Sequence, residues 1–383
     1  MLYTNLNVNN NNNYTMVTFT RYLYSKDDVE IAIIGSLLQK DKDAALFWVY
    51  ELYFSGFWEE VKLILWKIYY SIYSVNNASL ENYMKKKEEK IETDKDKEMF
   101  LLTFVSNMIK RKSNTDVFIL AGVCIKIEQD EDMLGKSLWE MLHLQDYEAI
   151  CQEMERIISS DDDSGTESKK LVQDLTRFFK EKGCTKLAPL KKYKYDGVSN
   201  LLILISRVMT LFTELSNKKE EEDAPKKTTY VVCKEKDIEP YRTREVEFGK
   251  EKPRDIFPQL ASKSPFTDGF LSIFRSGTDE ENLYIYRQQW IAQAYQTTPV
   301  WKERIEKFCG SVHEEQVVWE NDDLEEEFYQ KYNYDTDEQP LEIQQRNIPM
   351  YDKRMSLLDF QKKFKGDGIY EPCEEVLEAL IDQ

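Results

Sequence analysis

The chain has 383 residues, 42% hydrophobic and 13% aromatic, with 52 basic against 70 acidic residues, a formal net charge of −18 and a pI near 4.8. That length allows two or three domains and a sizeable core, while the acidic balance argues against free nucleic acid, which is held by clustered Lys and Arg. Six cysteines without a CxxC pair and only two histidines exclude ordinary zinc-finger spacing, and no apolar run reaches the ~20 residues of a membrane span.

Residues 1–13 end in an asparagine tract and read as a disordered tail. Residues 18–24 read as a short extended lead-in. Ser25, with Asp28 three positions on, then starts a helix in a box-like way. Val29, Ile31, Ile33, Ile34, Leu37 and Leu38 make that helix strongly apolar, and residues 40–43 form the polar turn that follows it.

The stretch 44–73, AALFWVYELYFSGFWEEVKLILWKIYYSIY, carries eleven aromatic rings. Ser55-Gly56 is its only local breaker, so it is expected to fold as two helices in a hairpin. In the second half, Phe57, Val61, Ile64, Ile68 and Ile72 share one face, with Trp58, Leu65, Trp66, Tyr69 and Tyr73 widening it beyond a one-sided stripe. The first half has Glu51 as its only charge between residues 44 and 54 and is expected to be the most buried helix. The spacing marks these rings as interior packing. Tyrosine hydroxyls still need partners, which puts some of them at helix boundaries.

Further along, residues 85–97 read as a solvated linker or helix start, and 99–109 as a fourth helix. Residues 117–127 are read as helix, and 131–142 with 146–158 as a helix pair whose Trp139 and Leu142 face the core. An exposed acidic loop, 159–168, precedes helices over 169–182 and 198–215. The expected fold class is therefore mainly α: an all-helical domain over 14–216, an irregular α-solenoid-like bundle without a sequence repeat. A charged linker (217–229) leads to a mixed α/β, loop-rich region, 230–383, that is rich in proline and acid. Nine of the ten prolines lie at or beyond the linker. Residues 228–233 are read as a strand, 284–295 and 300–308 as helices around Trp290 and Trp301, and 373–381 as a last short helix.

Residues 314–338 hold eleven acids against one base, Lys331, interleaved with aromatics. Acid alternating with aromatic suits a segment that docks on a basic groove. The residues expected to bind a partner are Trp319, Glu325, Glu326, Glu327, Phe328, Tyr329 and Tyr332. A solvated face of a small domain is the alternative.

No catalytic constellation stands out. His143 and His313 are isolated, and no GxGxxG, GxxxxGK[ST] or GxSxG occurs. Loop 159–168 fails the calcium-hand pattern, since Gly165 at the sixth position would place Leu171 at the twelfth. Residues 163–168, DSGTES, outline a paired-phosphoserine motif, with Thr166 where an apolar residue is favoured. No metal or cofactor is expected. The absence of a signal peptide points to a reducing, soluble compartment.

The segments 20–24 (TRYLY), 45–57 (ALFWVYELYFSGF) and 65–70 (LWKIYY) together resemble an N-terminal block of uncharacterised proteins from giant nucleocytoplasmic large DNA viruses of the mimivirus-like kind. The asparagine tract and the Lys, Asn and Tyr usage fit an AT-rich viral genome. The resemblance implies a viral protein of the host cytoplasmic factory or the virion, and it carries over no catalytic residues. The first functional expectation is a non-enzymatic viral structural or scaffold protein, with viral or host proteins of basic surface as partners. The alternative is a regulatory adaptor of viral transcription or translation. A third is an enzyme with a pocket assembled from scattered Asp, Glu and Lys.

Overall fold

The computed structural model describes residues 18–22, 24, 26–126, 136–160, 165–217, 229–242, 291–313, 316–332 and 357–380. Over these the protein is mainly helical, with a two-stranded hairpin near the C-terminal region. The tail 1–13, the Ser25 cap, Trp290, Tyr334 and most of the 217–229 linker lie outside the described residues.

Helix α1 (Lys26–Gln39) buries all six of its expected apolar residues. Lys40, at φ 64°, turns the chain, and Asp41 caps α2 (Lys42–Phe54) by accepting the Ala44 N–H at 3.0 Å. In α2 every residue from 45 to 52 is buried, Glu51 included. The break falls at Ser55-Gly56 as expected. Gly56 sits at φ +97°, and a Cβ there would come within 2.5 Å of the Pro299 Cβ, so only glycine fits both the backbone and the neighbour.

Helix α3 (Trp58–Ile68) runs into a π-helical turn, Tyr69–Tyr73, closed by the Ser74 N–H on the Tyr69 carbonyl at 2.8 Å. Of the eleven rings, eight are buried; Tyr53, Phe54 and Trp58 are half-buried and packed against the core. The five tyrosine hydroxyls of the hairpin all donate: Tyr50 to the Glu98 carbonyl, Tyr53 to Asp94, Tyr69 to Asn77, Tyr73 to Leu37, and Tyr70 to the Glu81 carboxylate. Interior packing of the rings, with satisfied hydroxyls, is what the pattern required.

Helix α4 (Ala78–Glu88) departs from expectation, and the connector is only 89–93. Leu80 and Met84 are its only fully buried hydrophobics, too sparse a stripe to stand out among lysines and glutamates. Thr93 and Asp96 then form a reciprocal cap on α5 (Asp94–Ile109). The second layer comprises α6 (Asp116–Lys126), α7 (Leu138–Leu144), α8 (Tyr147–Ser160), α9 (Thr166–Glu181) and α10 (Asn200–Asn217). Helix α10 returns across α6, α8 and the π-helical turn, which makes the stack irregular. Leu142 is buried and Trp139 half-buried against the core.

Residues 229–233, read as a strand, form no ladder. Side chains hold them instead. Tyr230 stacks on Tyr83 (4.1 Å between centroids), with the Arg111 guanidinium 5.4 Å from its ring. Asn107 both accepts the Val231 N–H (3.0 Å) and donates to the Val231 carbonyl (3.2 Å).

The C-terminal elements are α11 (Pro299–Lys307), β1 (Ser311–His313), β2 (Gln316–Val318), α12 (Asp322–Tyr332), α13 (Leu357–Phe364) and α14 (Glu374–Ala379). Helix α11 matches the expected 300–308, and α13 was not foreseen. Their apolar residues join the same core as the N-terminal helices: Trp301, Ile305, Phe360, Leu377 and Leu380 are all buried in it. The lead-in 18–24 is the seam. Trp301 Nε1 donates to the Thr20 carbonyl (2.9 Å), Arg304 to the Arg21 carbonyl (3.2 Å), and Val300 N–H to the Ser55 carbonyl (3.2 Å). On its other side Arg21 pairs with the buried Glu51 at 2.7 Å, and the Tyr22 N–H donates to the same carboxylate at 3.0 Å.

Candidate functional site

The expected partner-binding residues cluster on α12 and the hairpin before it, and the structure divides them into two faces. Strands β1 and β2 pair antiparallel, with Ser311 opposite Val318 and His313 opposite Gln316. Gly310 precedes them in a tight place: a Cβ would lie 2.6 Å from Ile305 Cγ2 and 2.7 Å from Trp319 Cζ3. Asn321 starts α12 by accepting the Leu324 N–H at 3.0 Å.

The inner face of α12 is a cluster of rings. Phe328 lies 4.7 Å from Trp319, 5.2 Å from Tyr332 and 5.8 Å from Phe308, centroid to centroid. The Arg304 guanidinium sits 4.6 Å from the Trp301 ring and 5.1 Å from the Tyr332 ring, joining the cluster to the lead-in seam. Phe328 is 1% exposed, so it supports the surface from beneath rather than touching a partner. Trp319 and Tyr332 are half-buried, and Tyr329 is exposed at the rim.

The outer face is acidic. Asp322, Asp323, Glu326 and Glu327 are exposed and Glu325 is half-buried. Their position in the first turns suits the positive end of the helix dipole. Glu326 accepts from Gln330 at 3.0 Å, and none of the three glutamates forms an ion pair among the described residues. Chemically this is a short, rigid row of carboxylates able to meet a basic surface. Residues 314, 315 and 333–338 of the acidic segment lie outside the described residues.

A second surface was missed in the sequence. Residues 180–194 hold six lysines (180, 182, 186, 191, 192 and 194) against one acid, Glu181, and all six are exposed. Helix α9 ends in a Schellman motif, in which the Gly183 N–H bonds to the Lys180 carbonyl (3.0 Å) and the Cys184 N–H to that of Phe179 (2.9 Å), with Gly183 at φ +85°. Beyond it Cys184, Leu187, Leu190 and Tyr193 recur every third residue and turn inward, leaving the lysines outside. The signal was in the sequence: a basic run in an otherwise mixed-charge chain.

Two other sequence candidates resolve simply. His143 is exposed and bonds through Nδ1 to the Trp139 carbonyl at 2.8 Å, and His313 is an exposed strand residue. Positions 161–164 of the DSGTES outline and its acidic loop lie outside the described residues. Among the described residues no group of three or more His, Cys, Asp or Glu is arranged to hold a metal ion, and no helix is long and apolar enough to cross a membrane. No family model matches the chain, and neither the curated proteins nor the solved structures include a significant match to it.

Proposed function

We propose that this protein is a non-enzymatic scaffold or structural protein that works by protein–protein contact, through the acidic outer face of α12. The observation that carries this reading is the division of α12 itself. Its rings are anchored to the core through Phe328 and Arg304, and its carboxylates are displayed without ion-pair partners among the described residues. A helix fixed from behind loses little backbone freedom on binding, which favours recognition. The partner that fits is a protein with a basic surface. Taken with the resemblance of its N-terminal block, the role belongs in the cytoplasmic factory or the particle of a large DNA virus.

The test is a pulldown from infected cells with the wild-type chain and with Glu325→Gln/Glu326→Gln/Glu327→Gln. The neutralised protein is expected to lose partner capture while its melting temperature stays within a degree or two, since exposed charges contribute only about 0–1 kcal/mol each to stability. Unchanged capture would remove α12 from the binding role. Copy number separates a structural part from an adaptor of viral transcription or translation: high abundance in purified virions supports the first, and confinement to the factory the second.

A further inference from the structure

We infer that the lysine patch of residues 180–194 receives the acidic face of α12 from a second copy of this chain. The inference deepens the proposed function, on which it rests for the role of α12, and it names the partner surface.

Elsewhere in this protein several exposed and half-buried lysines are matched with acids (Lys62 with Glu59, Lys95 with Glu235, Lys97 with Asp94, Lys112 with Asp367), while others, such as Lys42, Lys86 and Lys90, stand without an ion pair among the described residues. What sets 180–194 apart is that six lysines gather around one acid. In a chain of net charge −18, acids are plentiful. Yet the six lysines of 180–194 form no ion pair among the described residues. Six unmatched cations together leave a local positive field that a complementary surface would neutralise.

The patch is held in place as firmly as α12. The Schellman turn fixes Lys180 and Lys182 at the end of α9, with Lys182 Nζ 5.5 Å from the Phe178 ring. The buried Leu190 pins the short 3₁₀ turn Ala188–Lys191 to the core. At the far end the Tyr195 hydroxyl donates to Glu88 at 2.5 Å, and its ring lies 5.0 Å from that of Trp66.

Scale and chemistry choose the occupant. The five acids of α12 fall within six consecutive positions, about 9 Å of helix at 1.5 Å per residue. Lysines are point charges on flexible stems, suited to carboxylates spaced along a helix; planar, bidentate recognition favours arginine. The two surfaces are built on different parts of the core: α12 on α11 and the hairpin, the patch on α9 and α10. Each copy therefore carries one donor and one receiving face, and association is head-to-tail unless a two-fold pairs both contacts at once.

Sedimentation of the full-length chain tests this at about 0.05 M and about 0.5 M salt, since the screening length falls steeply over that range. The wild type is expected to self-associate at low salt and dissociate at high salt. Lys186→Glu/Lys191→Glu/Lys192→Glu and Glu326→Lys/Glu327→Lys should each remain monomeric with unchanged melting. Mixing the two variants should restore one contact, between the unchanged α12 of the first and the unchanged patch of the second. A wild type that stays monomeric at both salts, or a mixture of the variants that fails to associate, overturns the inference. So does a patch whose reversal abolishes binding of a 20-nucleotide oligo-dT while self-association is unaffected. If the wild type is monomeric but Glu325→Gln/Glu326→Gln/Glu327→Gln still loses foreign partners, the self-contact falls and the proposed function stands.

Discussion

The carboxylate of Asp116 accepts the backbone N–H groups of Ile369, at 2.8 Å, and Tyr370, at 3.3 Å, 253 and 254 positions further along the chain. It fastens the segment between α13 and α14 to the start of α6. A Cβ on Gly368 would lie 2.3 Å from Asp116 Oδ1, so the approach requires glycine. Burial pushes the Asp116 carboxyl up to about 6, against the smaller downward pull of the two N–H bonds.

A raised carboxyl pKa means that the folded state holds this proton more tightly than the unfolded chain. The site's contribution to stability is most favourable at or below pH ~4, declines as the pH rises to about 6, and is constant above. The decline amounts to at most about 3 kcal/mol for a shift of this size. Urea midpoints of wild type and Asp116→Asn, measured across pH 4–7, should draw apart by a wild-type loss that the amide variant does not share. A pH-independent difference would mean that Asp116 titrates normally.

Glu51 and Arg21 form a pair with side chains 0% and 2% exposed. Removing one partner strands the other charge, so Glu51→Gln is expected to cost about 3–5 kcal/mol. Arg21→Met should cost a comparable amount, and the double variant less than the sum. Additive losses in denaturant unfolding would show that the two side chains are not coupled.

Trp301 separates packing from hydrogen bonding. Trp301→Phe keeps most of the ring but leaves the buried Thr20 carbonyl without its donor, for a loss of about 1–3 kcal/mol. Trp301→Ala also opens a cavity and should cost about 3–5 kcal/mol. Equal losses in the two variants would remove the Thr20 bond from the account.

Gly310 tests the support beneath α12. Its φ is ordinary, so the constraint is steric: Ile305 and Trp319 leave no room for a methyl group. Gly310→Ala should destabilise by about 1–3 kcal/mol through overpacking and weaken partner capture as well, because Trp319 must move. Lost stability with intact capture would show that the acidic face tolerates a shifted support.

The hairpin of α2 and α3 was legible because its rings and aliphatics recur at helical spacing over thirty residues, and helix α11 because Trp301 and Ile305 stand four apart among charges. Helix α4 was not, since two apolar anchors carry too little periodicity. The strand expected at 228–233 followed β-branched and aromatic residues, but such residues form a strand only beside a partner edge; here Tyr83, Asn107 and Arg111 supply other contacts. Within the candidate site the acids were visible as composition. What composition lacks is direction: Phe328 and Glu327 are neighbours in sequence, one packed inside and one in water. The buried Arg21–Glu51 pair was beyond reach, as nothing local to residue 21 says which of the many acids it will meet.

Asn107 meets residue 231 through main-chain atoms alone, and Val232 beside it is 84% exposed. Such a grip is indifferent to which amino acid it holds. The lettering of 231 and 232 is free to drift, and proline at 231 is the substitution that would release it, because proline alone has no amide hydrogen. The clasp at 231 is thus written in residue 107, while the neighbouring Tyr230 holds through its own ring.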